Sequence, residues 1–177
     1  MQWGYWHCPL ETSSACFGPF QSVVEAWRAK WPAADQLPAR EDFDFPDFRG
    51  WWGRVAIARV YDAPFAVEYV LWGTTLSEWW DFDYSNRTLP REAQDPAFWT
   101  ASEGRYFQAM RRAPFIGVAA GDLARPDRAH RRVLSVDLPL GDRQGLTHVL
   151  AYHRALERDQ TIADLLPDCP LNAMPVT

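Results

Sequence analysis

The sequence predicts an α+β fold built on a predominantly antiparallel sheet. Three observations carry that expectation. Five segments have the period-two or β-branched and aromatic character of strands, and an all-helical stretch separates the first two from the last three. Strand pairs on either side of such a middle favour antiparallel pairing over βαβ crossovers. The chain of 177 residues, 47% hydrophobic and 23% charged, has the length and composition of one ordinary globular domain.

Residues 1–19 mix aromatics with Pro9, Gly18 and Pro19 and read as an irregular arm. From Phe20 to Trp31 the positions Phe20, Val23, Val24, Trp27 and Trp31 line one face of a helix, which Pro32 ends. Residues 36–52, rich in proline, acid and aromatics, read as a connector, with a short helix starting near Asp44. Arg54–Tyr61 and Phe65–Trp72 read as a hairpin around Asp62-Ala63-Pro64, with Phe65, Val67, Tyr69 and Leu71 on one face and Ala66, Glu68, Val70 and Trp72 on the other. Short helical turns follow from Thr74 to Leu89. A longer helix spans Pro96–Arg112 and places Trp99, Tyr106, Phe107 and Met110 on one side. Phe115–Ala120, Arg131–Leu140 and Leu146–His153 are the last three strands, the final two joined by a turn at Gly141–Gly145. The predicted organisation is an N-terminal arm and flanking helix over 1–36, one domain over 37–158, and a proline-punctuated tail over 159–177.

Four stretches resemble the PAS-like family found mostly in alphaproteobacteria as nearly free-standing domains. They are Leu37-Pro38-Ala39-Arg40 with Asp42, Asp44 and Pro46; Tyr69 through Thr74 with Leu76; Asp83 through Leu89; and Val136-Asp137-Leu138-Pro139-Leu140. Their order and spacing cover roughly residues 37–153. The chain departs from that family at Val70, where an arginine is usual, near Asp81, where a glycine is usual, and at Ser85-Asn86, which replace Thr-Gly. The resemblance implies a five-stranded antiparallel PAS-like sheet with helices over one face and an N-terminal flanking helix. It also implies a non-enzymatic sensory or interaction domain in bacterial signalling.

Charge and motif arguments narrow the function. With 18 basic against 23 acidic residues the net charge is −5, so a duplex nucleic acid or an anionic membrane surface is not an expected partner. No run of 18 apolar residues occurs, and the N-terminus has neither the basic start nor the apolar core of a secretory signal, which leads to an expected cytoplasmic location. Cys8, Cys16 and Cys169 form no CxxC pair and read as free thiols, with no structural zinc site. His148 and His153, five apart in one strand, face opposite sides and cannot share an ion, and no haem attachment motif is present. No metal is expected, and no cofactor is specified.

Ten Trp, ten Phe and six Tyr make aromatic packing the dominant theme. Trp72, Thr74, Trp79, Phe98, Trp99, Tyr106, Phe107, Met110 and His148 are the candidate ligand-binding residues, on a strand end, the helices and the last strand that would wall a PAS pocket. The expected occupant is a small apolar or amphipathic ligand. Phe20, Val24, Trp27 and Trp31 are the candidate surface for a homodimer or a signalling protein, or else pack on the domain's own sheet. Arg125 to Arg132 is the one concentrated positive run and reads as a solvated loop or an acidic-partner site. Phosphate loops, nucleophile elbows and HExxH are missing, so no catalytic residue is assigned. The alternative is a small α+β barrel-like enzyme or lipid-binding protein, in which Glu68, Asp137 and His148 would meet as an acid/base group in a deep cavity.

Overall fold

The structure, a computed structural model, describes residues 3–33, 36–89, 102–125 and 128–174. Eight strands form one sheet: β1 (Trp3–Cys8), β2 (Val55–Asp62), β3 (Phe65–Trp72), β4 (Arg87–Leu89), β5 (Ile116–Arg125), β6 (Arg128–Asp142), β7 (Gly145–Leu156) and β8 (Asn172–Ala173). Their order is β4-β3-β2-β7-β6-β5-β1-β8, and every neighbouring pair is antiparallel. Four α-helices accompany them among the described residues: α1 (Gln21–Ala29), α2 (Thr74–Trp80), α3 (Ser102–Arg112) and α4 (Ile162–Leu165).

This architecture corrects the expectation of a five-stranded PAS-like sheet with helices over one face. The sheet has eight strands, and both of its faces are covered. The α+β character and the antiparallel pairing stand as expected.

The extra strands have local causes. In β1 the aromatics alternate, with Trp6 and Cys8 entering one core while Trp3 and Tyr5 enter the opposite side. Both faces therefore carry aromatic side chains, and no polar–apolar alternation marks the period in what read as an irregular arm. Gly4 permits this path, since a Cβ there would meet the Trp6 ring. β4 and β8 have three and two residues and are defined by pairing rather than pattern.

One face of the sheet carries large side chains: Ile57 from β2, Ile116 and Val118 from β5, Leu134, Val136 and Leu138 from β6, and Leu150 and Tyr152 from β7. Against it lie α1, through Val23, Val24 and Trp27, and the turns that supply Phe17, Phe20, Phe43 and Phe48. The Trp27 indole donates to the Pro139 carbonyl at 2.9 Å, which satisfies its polar atom in the core. The opposite face of the same strands carries small residues: Ala56 and Ala58, Ala151, Ala119 and Ser135. α2 and α3 lie over this second face, and the small side chains leave space beneath them.

A bulge sets which aromatics look into that space. Ile57 pairs with Leu71 but Ala58 pairs with Tyr69, so Val70 is an extra residue on β3. Strict alternation separates Tyr69 from Trp72. The extra residue flips the count, and both side chains share the face of Ala56 and Ala58, with ring centroids 5.0 Å apart.

Candidate functional site

A cavity of about 350 Å³ lies between the second sheet face and its helical cover. Its floor is Ala56, Ala58, Ala119, Ser135 and Ala151, residues too short to reach the helices. One wall is a set of touching rings. Trp72 lies 5.2 Å from Trp80 of α2 and 4.9 Å from Tyr84, while Trp3 of β1 stacks on Trp80 at 6.1 Å. Strand β1, near one edge of the sheet, thus touches the helix that follows β3, which lies near the other edge.

The polar end is formed where α3 crosses β1, β3 and β6. Glu103, Tyr106, Phe107 and Met110 are spaced i, i+3, i+4 and i+7, one face of a helix that lies against the sheet. Tyr106 reaches Asp137 of β6, donating its hydroxyl to Oδ2 at 2.6 Å. Gly117 of β5 pairs with Asp137 and makes this possible, because a Cβ at that position would overlap the Tyr106 hydroxyl. Asp137 is only 6% exposed, and its second oxygen, Oδ1, is buried with no hydrogen-bond partner among the described residues. Tyr69 donates to Glu103 at 3.2 Å, tying the bulged strand to α3.

Burial and charge explain the titration of this end. Desolvation pushes the Asp137 carboxyl up to about 6; the Tyr106 and Ser135 hydroxyls pull it down, and the negative charge of Glu103 adds to the rise. Burial likewise raises Glu103, against the Tyr69 hydrogen bond. Tyr5, Tyr69 and Tyr106 are all held above the ordinary phenol value, first by burial and then by the nearby carboxylates, so they remain protonated donors. His153 of β7 is lowered to about 4 by burial and is neutral at physiological pH. Its Nδ1 lies 3.3 Å from the Arg54 carbonyl. A carbonyl only accepts, so Nδ1 carries the hydrogen and Nε2 is an acceptor. No Lys or Arg lines the cavity among the described residues, and no group of three or more His, Cys, Asp or Glu among them is arranged to hold a metal ion.

The candidate residues fall in different places. Trp72, Tyr106 and Phe107 line the cavity. Met110 is fully buried beneath α3, and Trp79 packs with Leu76, Leu123 and Val133 beyond the cavity wall, with the Arg131 guanidinium over its ring. Thr74 is exposed at the start of α2. Phe98 and Trp99 lie outside the described residues. His148 is on the opposite face of β7 from the cavity, beside Arg59 at 3.4 Å. Phe20, Val24 and Trp27 are fully buried against the domain's own sheet, and Trp31 packs at the margin of that core. Of the positive run, Arg132 binds the Gln160 carbonyl and faces Asp122, so it serves local structure.

Glu68, Asp137 and His148 are not brought together. Glu68 accepts from Tyr61 and faces Arg59, which also reaches His148, while Asp137 is on the other side of the sheet. Register gives the reason: Asp137 pairs with Ala151 and Leu140 with His148, an odd offset that puts the two side chains on opposite faces. The residues missing from the sequence reading are Trp3, Tyr5, Tyr69, Glu103 and His153. Glu103 had a signal, an acid within the apolar stripe of a helix.

Among the described residues no helix is long and apolar enough to cross a membrane. Comparison with protein-family models, with curated proteins and with solved structures finds no match to the chain.

Proposed function

We propose that the protein binds a small amphipathic molecule in the cavity between the sheet and helices α2 and α3. One observation carries this reading: the space of about 350 Å³ is lined both by an aromatic wall and by a buried carboxylate oxygen, Asp137 Oδ1, that has no hydrogen-bond partner among the described residues. Apolar cavities with a few convergent polar groups are the usual form of small-molecule sites. A buried acceptor without a partner is costly, and a ligand donor removes that cost. The role is non-enzymatic binding, and the three free cysteines suit a reducing compartment such as the cytoplasm.

The test uses 1-aminoanthracene, a neutral fluorescent probe small enough for the cavity. The wild-type chain is expected to bind it with a rise in emission. Ala151→Leu, which pushes a larger side chain up from the floor, is expected to weaken binding at least tenfold while the circular dichroism spectrum is unchanged. Equal binding by the folded variant, or none by the wild type, refutes the reading.

A second reading is acid–base catalysis on the bound molecule. It is favoured by the Asp137 carboxyl titrating at about 6 beside the Tyr106 hydroxyl, a pair placed in the cavity itself.

A further inference from the structure

Among the described residues the cavity is lined by two carboxyl groups and by no Lys or Arg. Asp137 rises from the floor on β6, and Glu103 comes from the α3 cover above it. Each accepts one hydrogen bond from a phenol, Tyr106 and Tyr69 respectively. Neither phenol neutralises charge, and no Lys or Arg side chain among the described residues lines the cavity beside either carboxyl. Buried carboxylates are ordinarily paired with a cation or a metal. The other polar groups lining the cavity among the described residues include Ser135 on β6, Tyr5 on β1, Tyr84, the Trp72 indole N–H and His153 on β7, and His153 is neutral.

The rest of the lining has a matching chemistry. Trp3, Trp72, Trp80 and Tyr84 present ring faces and edges in mutual contact. Indole faces attract cations and accommodate apolar rings equally well. An anionic ligand would meet two carboxyl groups, and a neutral one would leave both uncompensated.

We propose that the cavity is a site for a hydrophobic organic cation, a protonated amine whose N–H donates to Asp137 Oδ1 with Glu103 as the second negative group and whose apolar body lies against the tryptophan wall. The inference rests on the binding reading above and adds the charge and donor character of the ligand. Affinity then falls as the pH drops through about 6, where Asp137 takes up its proton.

Three indoles that differ in charge separate the alternatives: tryptamine, its neutral alcohol tryptophol, and indole-3-acetate. Each is titrated at pH 7.5 by calorimetry into the full chain, into Asp137→Asn and into Glu103→Gln. The expected result is tryptamine binding at least tenfold more tightly than tryptophol, with indole-3-acetate weakest. Asp137→Asn is expected to weaken tryptamine at least tenfold while tryptophol changes less than threefold, and Glu103→Gln to act in the same direction. Tryptophol or indole-3-acetate matching tryptamine in the wild type overturns the proposal, as does an amine preference that survives in both variants. If 1-aminoanthracene binds but none of the three indoles does, the charge assignment falls and the binding reading stands. If nothing binds, both fall.

Discussion

Replacing Asp137 with Asn should make the protein more stable at neutral pH, by an amount that vanishes in acid. The carboxyl titrates at about 6 in the folded chain against an ordinary value of 3.8. At about 1.4 kcal/mol per tenfold change in affinity for the proton, ionising it in the folded state costs about 3 kcal/mol. The sign follows from linkage: below about pH 4 the group is protonated in both states and the term is absent. Between about 4 and 6 only the folded chain holds the proton, so stability falls as pH rises. Above about 6 the full cost is present. An amide is never ionised, still accepts from Tyr106 through its oxygen, and loses about 1 kcal/mol where its nitrogen lacks an acceptor. The expected gain is therefore about 2 kcal/mol at pH 7.5, falling to zero or slightly below by pH 4.

His153 makes the wild-type profile alone a poor guide. Its folded value of about 4 lies below the ordinary 6.5, so the folded chain rejects a proton that the unfolded chain takes up. That term, also about 3 kcal/mol, removes stability as pH falls from about 6.5 to 4, opposite in direction to Asp137. The two largely cancel in the wild type. The difference between variant and wild type isolates the Asp137 term. Urea unfolding followed by tryptophan fluorescence from pH 4 to 8, extrapolated linearly to water, measures it. A difference that stays constant with pH, or a variant less stable at pH 7.5, refutes the reasoning.

Other substitutions probe the scaffold. Gly117→Ala sets a methyl group on the Tyr106 hydroxyl and disrupts its bond to Asp137; overpacking and the lost hydrogen bond together are expected to cost about 3 kcal/mol in urea unfolding. Trp27→Ala removes a fully buried indole and its bond to Pro139, with an expected loss of about 3–5 kcal/mol. A loss below about 1 kcal/mol would mean that the face of α1 is less tightly packed on the sheet than the structure shows.

Much of the scaffold was legible because its long strands alternate. β3, β6 and β7 contain the segments expected from sequence, β2 and β5 overlap theirs but begin one residue later, and α1 falls within the expected helix. What escaped shares a physical cause: it depends on which strand lies beside which. Asp137 stood out in the sequence as a strand acid, but its partners follow from the pairing of Asp137 with Ala151 and Gly117, which no local pattern carries. His153 and His148 differ in parity along β7, and choosing between them requires the register. The bulge at Val70 breaks the alternation that would otherwise assign Tyr69 and Trp72 to different sides. The small floor residues were equally silent, since an alanine in a strand signals neither a filled core nor a hollow.

The position of β1 carries a consequence for synthesis on the ribosome. Trp3 pairs with Gly121 and Cys8 with Ile116, so β1 has no sheet neighbour until more than a hundred further residues of nascent chain have been made. Its outer edge is covered later still, when Asn172 and Ala173 reach His7 and Trp6. A polypeptide interrupted before β5 can form the β2–β3 hairpin but leaves β1 without its strand partner. The Trp3 side of the aromatic wall is thus fixed in the sheet only after β5 has been made.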